Sequence, residues 1–166
     1  FTGVRFKADG TQTVVEIEFS AQPTTCVITS TGPTVNSCSG AADPCGAITT
    51  LACGTSTSAT LVGTGIFNPG SCGFSTPGAE KIYSFTPVTT GIYSLQVTAA
   101  SGGFVDYFYK SSSGGCGPTG WTCIDDVSSP TTAVIGALNG GVTYYILLDA
   151  ETTSSITQSF QIICVY

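Results

Sequence analysis

Between Gly78 and Lys110 the chain writes three short strands in succession, GAEKIYSFTPVTTGIYSLQVTAASGGFVDYFYK. Few folds can absorb such a run. In Lys81–Thr86, Ile82 alternates with Tyr83, and Phe85 falls on the Tyr83 side. In Gly91–Thr98, Tyr93, Leu95 and Val97 share one face while Ile92, Ser94 and Gln96 share the other. Phe104–Tyr109 is rich in aromatics. Period-two alternation broken by Pro87, by Thr89-Thr90-Gly91 and by Ser101-Gly102-Gly103 is the signature of antiparallel strands joined by turns.

The rest of the chain extends this pattern. CGAITTLAC (Cys45–Cys53) opens the unit and Thr60–Phe67 supplies a strand, followed by turn-rich Asn68–Gly78. Gly114–Trp121 is a Gly-rich loop that runs on into the C-I-D-D-V stretch. Thr132–Leu138, Val142–Asp149 (VTYYILLD) and Ser159–Tyr166 (SFQIICVY) complete the set. No helical period interrupts it. Strands about ten residues apart, with Gly and Pro turns between, predict an all-β fold, an antiparallel β-sandwich or jelly roll.

Residues 1–44 read differently, as an N-terminal extension. Phe1–Lys7 predicts a short strand and Ala8-Asp9-Gly10 a turn. In TVVEIEF, Val15, Ile17 and Phe19 line one face while Glu16 and Glu18 line the other, a clean amphipathic strand. Thr31–Pro44 has the composition of a linker or a tied loop. A segment this short does not bury its own apolar face. Its strand therefore completes a sheet of its own domain, or enters a groove of a neighbouring copy as a donated strand.

Composition narrows the setting. Only 8% of residues are charged, against about 25% in ordinary globular chains. A net charge of −6 with four Lys plus Arg excludes a phosphate-binding role, and so a nucleic-acid or anionic-membrane partner. No apolar run is long enough for a membrane-spanning helix. Eight cysteines in an acidic, hydroxyl-rich chain predict disulfides and an oxidising compartment. By spacing alone the expected pairs are Cys116–Cys123, Cys26–Cys38 and Cys53–Cys72, with Cys45 left to meet Cys164. The absence of Met fits a mature secreted protein whose signal has been removed.

In order and spacing, CGAITTLACG, NPGSCG, PGAEKIYSFTP, VDYFYK, CIDD and GGVTYYILLD together resemble the bacterial pre-peptidase C-terminal domains. The resemblance covers residues 45–166, and residues 1–44 have no counterpart in it. It implies a secreted β-sandwich of the sort appended to extracellular hydrolases and adhesin-like surface proteins, and related domains suggest calcium held by similar acids.

Candidate chemistry is sparse. With no His, the commonest general base is missing, and no Ser-x-x-Lys pattern replaces it. The chain is expected not to be an enzyme, and to require no cofactor for catalysis. Asp106, Asp125 and Asp126 are the candidate calcium ligands, since calcium takes carboxylate and carbonyl oxygens. The alternative is that Asp125 and Asp126 only cap a turn. Phe104, Tyr107, Phe108, Tyr109, Trp121, Tyr144 and Tyr145 form either a core or a sugar-stacking platform. Trp121, in its Gly-rich loop, is the candidate sugar contact. Thr24–Thr34 and Ser111–Ser113 are hydroxyl-dense enough for O-linked glycans. The expected function is an extracellular structural subunit that polymerises with copies of itself through Val15, Ile17 and Phe19 into a filament or surface array. The alternatives are a carbohydrate-binding module assisted by calcium, and an accessory domain of a secreted hydrolase.

Overall fold

The computed structural model describes residues 4–8, 11–15 and 43–164, and the chain divides into two compact units, Phe1–Gly40 and Ala41–Tyr166. In the first unit, β1 (Val4–Ala8) and β2 (Thr11–Val15) pair antiparallel, with Val4 opposite Val15. Of the expected contact strand, Val15 lies at the end of the described part of β2, whereas Ile17 and Phe19 fall outside the described residues. Cys26, Cys38 and the Thr24–Thr34 hydroxyl run also fall outside them.

The second unit is a β-sandwich. After a 3₁₀ turn at Pro44–Gly46 come β3 (Thr49–Thr50), β4 (Thr57–Leu61), β5 (Glu80–Phe85), β6 (Gly91–Ser101) and β7 (Val105–Ser111). A second 3₁₀ turn, Ser112–Gly114, precedes β8 (Thr122–Val127), β9 (Thr131–Leu138), β10 (Tyr144–Ala150) and β11 (Ile156–Ile163). One sheet has five strands in the order β3-β5-β10-β7-β8, and the other has four in the order β4-β11-β6-β9. All pairings are antiparallel except that of β3 with β5.

The faces assigned by alternation are the faces observed. Tyr83 and Phe85, and Tyr93, Leu95 and Val97, point between the sheets with Ile146, Leu148, Phe160 and Ile162. Phe160 takes the edges of two tyrosine rings, with centroids 5.3 Å from Tyr83 and 5.7 Å from Tyr107. Edge-to-face contacts of this kind add to the burial of aromatic area.

Ile82 lies on the opposite side of its strand, and its environment was not anticipated. The outer face of the five-stranded sheet is buried too. Ile82, Phe108 and Leu147 pack there with Phe67 and Trp121 beneath a covering layer of loops. Val62–Phe67, expected to continue a strand, runs instead into this layer, so β4 stops at Leu61. Burial on both faces also explains why VTYYILLD lacks alternation: a strand covered twice reads as a continuous apolar run.

The cover is held by disulfides whose pairing corrects the expectation. The bridges are Cys45–Cys116, Cys53–Cys164 and Cys72–Cys123. Cys123 is not in a loop closed on Cys116. It lies on β8 opposite Phe108, where it meets Cys72 descending from the cover. Cys116 reaches the Pro44–Gly46 turn instead. Cys53 makes an isolated bridge with Ile162, which brings it beside Cys164 at the end of β11. Burial of the outer face thus overrode sequence proximity. The observed bridges span 71, 111 and 51 residues. In the chain-entropy picture each long loop constrains the unfolded state by about 4–5 kcal/mol taken alone, against about 2.5 for a Cys116–Cys123 loop.

The hydroxyls of Tyr83 and Tyr107 are buried without a hydrogen-bond partner, and burial raises both above the ordinary phenol pKa, Tyr83 to about 12. An unpaired buried hydroxyl costs stability. Tyr83→Phe and Tyr107→Phe are therefore each expected to be neutral or to stabilise by about 1 kcal/mol in urea unfolding. A loss above about 2 kcal/mol for either would show that its hydroxyl has a partner.

Candidate functional site

The strand register places carboxylates side by side across four strands. Glu80 on β5 stands opposite Asp149 on β10, Asp149 opposite Asp106 on β7, and Asp106 opposite Asp126 on β8. Like charges at directly opposed positions repel. This row lies on the covered outer face, one step from Ile82, Leu147 and Phe108. Asp106 and Asp149 are completely buried.

Oxygens of Asp106, Asp126 and Glu151 converge within 4.8 Å of one another. Two of the expected ligands are therefore brought together and one is not. Asp125 is opposite Tyr107, out of step with the row, and its carboxylate accepts the Asp126 backbone N–H at 3.0 Å. Adjacent strand residues face opposite ways, so the pair splits. Glu151 was missed. Its signal was its two-residue spacing from Asp149, which becomes informative only once β10 is registered against β7.

Hydrogen bonds fasten the cover to the Glu80–Asp149 end of the row. Glu80 accepts the Ile66 and Phe67 backbone N–H groups at 2.7 and 3.0 Å. Thr76 Oγ1 donates to Asp149 Oδ2 at 2.9 Å, and the Thr76 N–H donates to Asn68 Oδ1 at 3.2 Å. The approach is close enough to require glycine. A Cβ on Gly65 would collide with the Glu80 carboxylate and the Gly78 carbonyl, and one on Gly78 with the Thr152 carbonyl.

What remains is a surplus of negative oxygen. Both oxygens of Asp106, and one each of Asp126, Asp149 and Glu151, are buried without a partner. Neither lysine of the sandwich neutralises them. The Lys110 ammonium donates to the Gly117 and Thr119 carbonyls at 2.6 and 3.0 Å, and Lys81 lies over the Tyr83 ring. Burial, reinforced by Asp126 and Glu151, pushes Asp106 up to about 7. Burial likewise carries Asp149 to about 8, with Glu80 and Asp106 adding and Thr76 opposing. Burial is also the main cause of the upward shifts of Glu80, Asp126 and Glu151. All-oxygen, partly buried carboxylates fit a hard divalent cation such as calcium. The orphaned oxygens, not any family likeness, establish that fit.

Trp121 does not present a stacking face. It is buried at 6% exposure, donates its indole N–H to the Gly117 carbonyl at 3.0 Å, and carries the Lys110 ammonium 4.2 Å from its ring. The expected sugar contact is thus a packing residue that anchors the Gly-rich loop. Tyr107, Phe108 and Tyr144 are buried as well, while Phe104 is exposed.

A pH dependence follows for the chelator-treated protein. In the unfolded chain aspartate releases its proton near pH ~4, whereas folded Asp106 and Asp149 hold theirs to about 7 and about 8. Between those limits the folded state binds more protons, so stability is highest at the acidic end and falls as pH rises. The melting temperature in EDTA should drop by several degrees from pH 5 to pH 8.5, and Asp106→Asn should flatten the profile. A melting temperature that rises over this range would contradict the assignment.

No protein-family model matches the chain, and no curated protein matches it. Among solved structures, the crystal structure of the pre-peptidase C-terminal domain of collagenase from Bacillus anthracis is similar at 13% identity and a TM-score of 0.50, covering 70% of this chain and 94% of that one. At this identity the likeness speaks to the fold: the disulfide-stapled sandwich has the architecture of a pre-peptidase C-terminal domain.

Proposed function

We propose that the protein is an extracellular, non-enzymatic structural subunit that joins copies of itself by strand addition, the N-terminal strand of one copy pairing with a sheet edge of the next. The disulfides support the oxidising setting. The observation that carries the assembly reading is the chemistry of the four-stranded sheet's edges. β4 (TSATL) and β9 (TTAVIGAL) close that sheet on its two sides, and neither contains a charged residue or a proline.

Natural edges are usually blunted by lysine, proline or a bulge, because unpaired N–H and C=O groups recruit other strands. Here the one such device is the register shift where Tyr93–Ser94 faces the Ile135–Gly136 region of β9. Regular pairing of Thr131–Val134 with β6 leaves that part of the β9 edge open, and Val134 is 63% exposed on the adjoining face. The proposed donor is the segment whose sequence alternation puts Val15, Ile17 and Phe19 on one side. An isolated two-stranded hairpin is marginal in water, so an apolar strand of this kind gains by pairing with a larger sheet. A contact between the strand of one copy and a sheet edge of another is heterologous and propagates instead of closing.

A second reading, an accessory domain of a secreted hydrolase, is favoured by the fold likeness to the collagenase domain. The two separate in one experiment. Negative-stain images of the purified chain should show fibres, which deletion of residues 1–22 abolishes and Val134→Lys thins by roughly tenfold or more. Intact chain that stays monomeric at high concentration sinks the assembly reading and leaves the accessory-domain reading standing.

A further inference from the structure

We propose that the outer face of the four-stranded sheet is a docking surface for a second copy of the chain, the two faces packing about a two-fold axis that runs along the strands between β6 and β11. This contact uses the face of the sheet and not its edges, so it goes beyond strand addition and does not depend on it.

The two sheets treat their outer faces differently. Loops cover that of the five-stranded sheet, whereas on the four-stranded sheet Ile92, Val134 and Ile163 are 58%, 63% and 39% exposed. β4, β6, β9 and β11 contain no charged residue. The charges of the described sandwich stand on β5, β7, β8 and β10, at Asp43 and at Glu151. Polar side chains on the uncharged face bond one another: the Ser58 and Ser159 hydroxyls at 2.6 Å, and those of Thr60 and Thr157 at 3.1 Å. Groups already bonded within the face lose little when water leaves it, and side chains already held in place lose little entropy on docking.

Charge selects the occupant. The chain carries a net charge of −6, so two copies repel, and they approach most easily through the face that has none. About a two-fold axis a surface meets itself, so any charge near the axis would face its own equivalent. The central rungs of the face are reciprocal in the way such an axis requires. Register sets Gln161 beside Gln96, and Ile163 beside Ser94. Gln161 Nε2 donates to Gln96 Oε1 at 2.6 Å. The Gln96 nitrogen is then a donor, and the Gln161 oxygen an acceptor, for the second copy. An axis between the two strands brings each to its complement. In the next rung the same axis sets the larger Ile163 of one copy over the smaller Ser94 of the other. Four strands about 4.8 Å apart and about eight residues long offer roughly 500 Å² per copy. The total of roughly 1,000 Å² is at the lower bound of a specific interface. The dimer is therefore weak and reversible.

Sedimentation velocity of the full chain, from about 1 μM to about 1 mM, tests this, with negative-stain images of the same samples. Pairing should appear with a dissociation constant on the order of 10⁻⁴ M. The Gln96→Lys/Gln161→Lys and Gln96→Glu/Gln161→Glu double variants should each weaken it by roughly tenfold or more, through like charges facing across the axis. An equimolar mixture of the two should restore pairing, which misfolded chains would not do. Val88→Glu, a charge added at a position 89% exposed on the β5–β6 turn, should pair as the wild type does. Gln96 and Gln161 lie on the inner strands β6 and β11, so fibres built through residues 1–22 should persist in both double variants but lose any side-by-side pairing. A two-fold contact closes at two copies, so failure of strand addition alone leaves closed dimers, and failure of the face alone leaves single fibres. Pairing undiminished in both double variants, no pairing up to about 1 mM, or no restoration on mixing would each overturn the proposal.

Discussion

Strand β10 is buried on both faces, and most of the molecule's other features follow from that. One face, with Ile146 and Leu148, belongs to the core between the sheets, and the other, with Leu147, belongs to the outer cluster. A sheet face this apolar must be covered, and a chain with only 8% charged residues has little else to place over it. The cover is loop, not helix, so its backbone makes few regular hydrogen bonds with the sheet. Cys45–Cys116 and Cys72–Cys123 supply the attachment that helices provide in other layered folds. Buried Trp121 then fixes the Gly-rich loop at one end, and Glu80 and Thr76 fix the cover at the other.

Alternation made the strands around Gly78–Lys110 legible because it depends only on neighbours along the chain. Tyr83, Phe85, Tyr93, Leu95 and Val97 all face the side that period two assigns them. What escaped were properties of register and of the second layer. β8 was read as loop because TCIDDV carries two carboxylates and a cysteine, a composition that an edge strand tolerates and a central strand does not. The disulfides were misjudged because pairing by proximity ignores which face a cysteine occupies: Cys123 shares a face with Phe108, and that face is where Cys72 arrives. Asp106 and Asp126 were recognisable as acids worth attention. Their meeting with Glu151 required the β7–β10 and β7–β8 registers together, which no local pattern contains.

The distribution of charge is as informative as its scarcity. Of ten acidic residues, four (Glu80, Asp149, Asp106 and Asp126) sit along one covered row and a fifth, Glu151, meets its Asp106–Asp126 end. The strands bounding the four-stranded sheet have none. Charge has been placed where burial makes it expensive and withheld from the edges where it usually blocks association. Asparagine or threonine would hold the row with less repulsion, and a single lysine would protect an edge.

These two departures belong to different sheets, and that separation has a mechanical consequence. The acidic row ends at β8, the outer strand of the five-stranded sheet, while the uncharged edges bound the four-stranded sheet. A strand arriving at β9 or β4 extends a backbone hydrogen-bond ladder and touches none of the carboxylates in the row's register. The free side of the five-stranded sheet is β8, where the register shift between Tyr107 and Phe108 interrupts the ladder. Under the proposed assembly, a strand added at β9 or β4 would leave that free side and the acidic row unchanged.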